Sequence, residues 1–274
     1  MSLSTYEPGS VISRINRNES METDSLFRVV FREARRVYEL SGGAFDITVG
    51  PLIDAWGFGP GEKQEVDSAL VDSLLQYVGM DKVQLAGDRV VKESPGVRLD
   101  VNAIAQGLAV DVVAEYLEGL ECANYMVEIG GEVRTRGKNP RGLFWRIGVD
   151  RPEFGSMIPG EQLQVIISMQ HRSLATSGNY RKYYETEGGV RITHSIDPKT
   201  GYPRQSRLLS ATILTDECMT ADALATACMV LGLEEARAFI ERQEDTDAYL
   251  IFGDEFGAYQ VWFTPGLKKY MESP

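Results

Sequence analysis

The sequence predicts an α+β fold, a single unit of mainly antiparallel sheet packed with helices over residues 1–274. Three observations predict it. Helical and strand-like stretches interleave as far as Leu120. From Tyr125 onward short apolar strands joined by tight turns dominate, the pattern of antiparallel pairing. No internal repeat, low-complexity tract or long linker divides the chain. At 274 residues, 43% hydrophobic and 25% charged, it is long enough to bury a sizeable core.

Each element has its own local reason. Asp24 to Ser41 carries Leu26, Val29, Val30, Val37 and Leu40 at helical spacing and stops at Gly42-Gly43. Ser68 to Val78 reads as a second helix. Val83–Leu85 and Val90–Lys92 flank Gly87-Asp88 as a hairpin, and a short strand runs into Asp100. Ala103 to Leu120 is helical again, with Leu108, Val112, Val113, Tyr116 and Leu117 on its apolar side. Strands follow at Tyr125–Ile129, Val133–Arg136, Trp145–Val149, Leu163–Met169 and Ser173–Ala175. A hairpin around Gly188-Gly189 joins Tyr180–Thr186 to Val190–His194. Leu209–Leu214 precedes the helix opened by Met219–Ala227, then come a helix at Glu234–Glu241 and strands at Ala248–Phe252 and Tyr259–Phe263.

Charge narrows the function classes. A net charge of −12 argues against an electrostatic grip on nucleic acid or an anionic membrane. A phosphate-bearing ligand is still open to such a chain where a metal ion or backbone amides supply positive potential. Cys122, Cys218 and Cys228 lack the spacing of a disulfide framework or a zinc site. No apolar run approaches the length of a membrane span. Met1-Ser2-Leu3 runs straight into the turn-like Glu7-Pro8-Gly9, so an upstream segment is expected to have been removed.

Four stretches carry the chemistry. In "GGAFDITVGPLIDAWGFGP", Gly42 to Pro60, glycines and prolines punctuate an apolar run around Asp46; a buried strand with tight turns capped by Asp46 explains it equally well. In "LDVNAIAQGLAVD", Leu99 to Asp111, a strand ends at Asp100 and a helix begins near Asn102 or Ala103. Its free amides suit a phosphate, although capping by Asp100 or Asn102 accounts for the residues too. "THSIDPKTGYP", Thr193 to Pro203, sends His194 out of a strand into a turn, where an imidazole can move protons and where turn formation explains most of the rest. In "MTADALATA", Asp222 and Thr226 lie four residues apart on one face of an apolar helix. They offer the hard oxygens that Mg²⁺ prefers; the competing reading is Thr220 as a cap with Asp222 favouring the helix dipole.

Together and in this order, with "STYEPGSVISRIN" (Ser4 to Asn16), "VEIGGEVRTRG" (Val127 to Gly137) and "LATSGNYRKYY" (Leu174 to Tyr184), these stretches closely resemble the ApbE family of flavin transferases. The resemblance runs from the first residues to Ala227 and implies an ApbE-like, T-fold-like architecture. Such proteins take FAD as substrate, use a divalent metal at its pyrophosphate, and transfer FMN to a Thr or Ser hydroxyl of a target flavoprotein, releasing AMP. Carried over by motif, the Ala103 backbone carbonyl and the side chains of Asp222 and Thr226 hold Mg²⁺. FAD contacts map to Tyr6, to Ala44, Phe45 and Asp46, to Asp100 and Gln106, and to the His194–Ile196 segment, with Tyr6 placed to pack on the flavin. His194 is the candidate for activating the acceptor hydroxyl.

Two positions depart from the family pattern. Gln106 stands where relatives often have Lys or Glu, and Ala225 where some carry an acid. Relatives also carry an export signal, often with a lipid-attachment cysteine, and a first strand before the "STYEP" block. The resemblance therefore implies the periplasmic side of the bacterial cell envelope if an export signal has been trimmed, and the cytoplasm if the chain is complete. An Mg²⁺-dependent FAD pyrophosphatase and a non-catalytic FAD-binding protein are the competing readings of the same residues.

Overall fold

Periodicity, turn chemistry and apolar runs become defined elements in the computed structural model, which describes residues 2–61, 63–152, 160–179, 183–185, 191–256 and 258–273. In chain order these are helices α1 (Val11–Asn16), α2 (Ser25–Leu40), α3 (Gly50–Ala55) and α4 (Ser68–Leu75), then strands β1 (Val83–Ala86) and β2 (Arg89–Lys92). Next come α5 (Ala105–Gly119), β3 (Tyr125–Ile129), β4 (Glu132–Arg136), β5 (Trp145–Asp150), β6 (Leu163–Met169), β7 (Ser173–Gly178), β8 (Tyr183–Glu185) and β9 (Arg191–Thr193). The chain finishes with β10 (Leu208–Thr215), α6 (Cys218–Leu231), α7 (Leu233–Ile240), β11 (Asp247–Gly253), β12 (Tyr259–Phe263) and β13 (Met271–Glu272). Contacts divide it into two units, Met1–Ala105 with Tyr184–Arg204, and Gln106–Tyr183 with Gln205–Pro274.

In the first unit, α2 buries Phe27, Val30, Phe31, Ala34 and Val37, the stripe an amphipathic helix turns inward. Its N-cap Asp24 accepts from the Phe27 amide at 2.9 Å. The Gly42–Pro60 stretch holds a helix where strand and turns were expected: α3 starts at Gly50 with a proline in its first turn, where the missing N–H costs nothing. Leu52 on α3 packs with Val78 and Ile196 in a buried cluster. The strand expected before Asp100 is reduced to a single parallel bridge between Val49 and Arg98. The reason is local: the Asn16 amide takes both backbone groups of Leu99, donating to its carbonyl and accepting from its N–H, each at 2.8 Å.

In the second unit the described strands form an antiparallel sheet in the order β12-β11-β10-β7-β4-β3 and a second in the order β13-β6-β5. Val149, Val165, Ile167, Met169, Leu174, Leu214, Tyr249 and Ile251 form one buried cluster there. Helix α6 lies against β7 and β10 and is apolar almost all round, with Asp222 among its buried residues. Of the hairpin expected around Gly188-Gly189, β8 pairs with β9, and residues 180–182 and 186–190 lie outside the described residues. Among the described residues no helix is long and apolar enough to cross a membrane.

Candidate active site

Asp222 on α6 is held by α5. Helix α6 begins at Cys218 and has no side-chain cap from Glu217, and Thr220, the cap in the competing reading, lies inside the helix. The cap comes from across the unit: the buried Asp111 accepts from the Cys218 amide at 2.9 Å and from the Met219 amide at 2.8 Å. Its charge lies at the positive end of the helix dipole, and Arg134 donates to the same carboxylate at 2.8 Å. One turn earlier on α5, the Gly107 N–H donates to Asp222 Oδ2 at 3.0 Å. A Cβ at Gly107 would lie 2.5 Å from the Cys218 carbonyl oxygen, so the bond to Asp222 exists because position 107 is glycine.

Asp222 is only 6% exposed. Burial pushes its carboxyl up to about 7, opposed by the Gly107 hydrogen bond. A buried carboxylate held by one amide is costly to keep ionised, and a cation alongside offsets that cost. One turn on, the Thr226 hydroxyl lies 3.2 Å from the Ser177 hydroxyl on β7. Asp222 and Thr226 are a hard-oxygen donor set of the kind Mg²⁺ takes while keeping other positions for water and phosphate. Among the described residues no group of three or more His, Cys, Asp or Glu is arranged for a metal. The fit therefore rests on one carboxylate and one hydroxyl.

Of the residues expected to contact FAD, all but Gln106 lie in the first unit. Asp46 is buried and accepts from both the Thr48 amide, at 2.7 Å, and the Thr48 hydroxyl, at 2.6 Å. Burial is the main cause lifting its carboxyl to about 6. The next residue, Ile47, accepts the Asp100 amide at 2.7 Å, which ties the "AFD" and "LD" motifs together. Asp100 in turn accepts from the Asn102 amide at 2.8 Å, an Asx turn rather than a cap of α5, which starts at Ala105. Tyr6 is exposed, and its phenol is pushed up by burial first and then by the carboxylates of Asp100 and Asp54. An open cleft of about 230 Å³ bordered by Thr5, Asp54, Arg98 and Asp100 lies in this unit.

His194 follows β9 and meets the ring of Phe58 edge-on, centroids 6.2 Å apart. The turn after it closes as its residues dictate: Gly201 donates to the Asp197 carbonyl at 2.8 Å and Asp197 to the Tyr202 carbonyl at 2.9 Å. The Trp56 indole donates to the Gly201 carbonyl at 2.9 Å, fastening the turn to the end of α3. The side chains of Ala44, Phe45 and Ile196 are buried. Gln106 belongs to the second unit and donates to the Ile129 carbonyl at 3.0 Å, while Ala103 belongs to the first, in the turn before α5. Sequence reasoning gave no role to Asp111, Arg134, Asp54 or Phe58. For Asp111 a signal was present, an acid one turn after Gly107 on an otherwise apolar helix face.

Solved flavin transferases share this fold. The flavin transferase ApbE of Vibrio cholerae matches with a TM-score of 0.87 and 36% identity, covering 98% of this chain and 85% of that one. The apo flavinyl transferase ApbE of Pseudomonas stutzeri matches with a TM-score of 0.86 and 32% identity, covering 98% and 83%. In sequence, an FAD:protein FMN transferase of Haemophilus influenzae is 41% identical over 267 residues, 93% of this chain and 75% of that protein. The ApbE family model matches residues 1–250. The chain belongs to the ApbE family.

Proposed function

We propose that this chain is an FAD:protein FMN transferase. It takes FAD and a protein acceptor, joins the FMN phosphorus to a Thr or Ser hydroxyl of a target flavoprotein, and releases AMP. The observation that carries the reading is the buried Asp222 carboxylate, held by one amide and followed a turn later by Thr226, in a member of this family. Asp222 and Thr226 would hold Mg²⁺, which when bound neutralises charge on the pyrophosphate and on the departing AMP.

The residues of the chain divide the remaining work. Tyr6 offers an exposed ring for the flavin, and Asp46 and Asp100, joined through Ile47, offer acceptors and backbone groups beside it. At Ala44, Phe45 and Ile196, whose side chains are buried, contacts to FAD fall to the backbone. His194 takes the proton of the acceptor hydroxyl as its oxygen bonds to phosphorus and the bond to AMP breaks. The "HSIDPKTGYP" turn, fastened by Trp56, keeps that imidazole in place. An upstream export signal would put this chemistry on the periplasmic side of the envelope.

The test is incubation with FAD and Mg²⁺, with and without a flavoprotein domain carrying an acceptor Thr, followed by mass spectrometry of the domain and chromatography of nucleotides. FMN-sized mass gain with AMP release is expected. Free FMN and AMP regardless of acceptor would make the chain a pyrophosphatase, and intact FAD would make it a binding protein.

A further inference from the structure

The loop after α3 is moulded around an acid. Asp54 is buried, pairs with Arg98 at 2.7 Å and accepts the Gly61 amide at 3.2 Å. A Cβ at Gly59 would lie 2.0 Å from Asp54 Oδ1, so glycine is needed for the chain to wrap the carboxylate. The wrapping presents Phe58. Its amide donates to the Ile53 carbonyl at 2.9 Å and its carbonyl accepts the Tyr6 hydroxyl at 3.3 Å. Its ring meets His194 edge-on, at an interplanar angle of 65°, and also meets Tyr184 with centroids 5.6 Å apart. The Lys63 ammonium sits 3.5 Å from the centroid of the Tyr184 ring.

We infer that Phe58 is a positioning residue for His194. The inference rests on the reading of His194 as the group that takes the acceptor proton. An edge-to-face pair fixes the plane of an imidazole, and proton transfer to an attacking oxygen depends steeply on that alignment. Tyr184, whose ring also carries the Lys63 ammonium, packs against Phe58, so the Phe58 ring is held by more than its contact with His194. Tyr6, by contrast, uses the Phe58 backbone carbonyl. Replacing the ring therefore disturbs the imidazole and spares the contact on the flavin side.

The experiment is a double-mutant cycle on the full chain with FAD, Mg²⁺ and an acceptor domain, using Phe58→Leu, Phe58→Tyr, His194→Ala and the Phe58→Leu/His194→Ala pair. Phe58→Leu is expected to lower kcat roughly tenfold, with KM for FAD within about twofold of wild type. Phe58→Tyr, which keeps the ring edge, restores most of kcat. On the His194→Ala background Phe58→Leu has no further effect, because its action runs through the imidazole. Wild-type kcat in Phe58→Leu, or a loss that multiplies with that of His194→Ala, overturns the inference. Wild-type turnover in His194→Ala overturns the underlying role of His194 and the inference with it. If Phe58→Leu melts too low to assay, Phe58→Met goes through the same cycle.

Discussion

Asp222 shows how a side chain can lower stability and be kept. Its carboxyl titrates near 7 because burial disfavours the charge. With the folded pKa above the unfolded one, the contribution to stability is complete below the unfolded value and is lost as pH rises through about 7. Metal-free Asp222→Asn is therefore expected to melt above wild type in mildly alkaline buffer, the gap closing below about pH 7. If Asp222 holds Mg²⁺ as proposed, added Mg²⁺ is expected to raise the melting temperature of wild type and not that of the variant, and the variant is expected to lose metal-dependent turnover. Thr226→Val shows a weaker form of the same loss, because a hydroxyl contributes less than a carboxylate to a hard cation. Asp46 repeats the sign at lower pH. Its folded value of about 6 stands above 3.8, so wild type loses stability relative to Asp46→Asn as pH rises between those values. The loss is at most about 3 kcal/mol, read by urea unfolding across the window; a pH-independent difference would sink this account.

At the scale of elements, α5 is the frame on which α6 is set. Asp111→Ala removes the acceptor of two buried amides and the partner of Arg134, and is expected to cost about 3–5 kcal/mol in denaturant unfolding. Arg134→Met leaves the two amides in place and costs less. Equal losses in the two variants would mean that the ion pair, rather than the cap, anchors the helix. The elements divide sharply in how legible they are. Helices such as α2 declare themselves by an apolar stripe, and β10, β11 and β12 by runs between turns. Helix α1 is too short to show a period, and α3 hides behind Gly50-Pro51, which reads as a break and serves as a start. The stretch before Asp100 has strand-like residues, but Asn16 takes the backbone bonds of Leu99 that a neighbouring strand would use.

For the whole molecule, charge sets the terms of encounter with an anionic substrate. A chain of net charge −12 repels FAD at a distance, and salt screens that repulsion. KM for FAD at saturating Mg²⁺ is therefore expected to fall as monovalent salt is added, and a rise would point to a local cationic patch that outweighs the total. Placement was legible wherever its logic is local: helical spacing sets Asp222 and Thr226 on one face of α6, and the Asp197–Gly201 turn follows from its residues, while their functional roles came from the family resemblance. Asp111 left only its helix-face acid as a signal and Phe58 left none, because the partners that give them their roles lie far along the chain, the Cys218 amide 107 residues beyond Asp111. Where the backbones of α5 and α6 meet at Gly107, this distance has a genetic consequence. In a random screen for lost activity, alleles at Gly107 or Asp111 would leave little protein on a blot, whereas an Asp222→Asn allele would leave a full band. Two inactive classes would thus separate by abundance before any assay of flavin transfer is run.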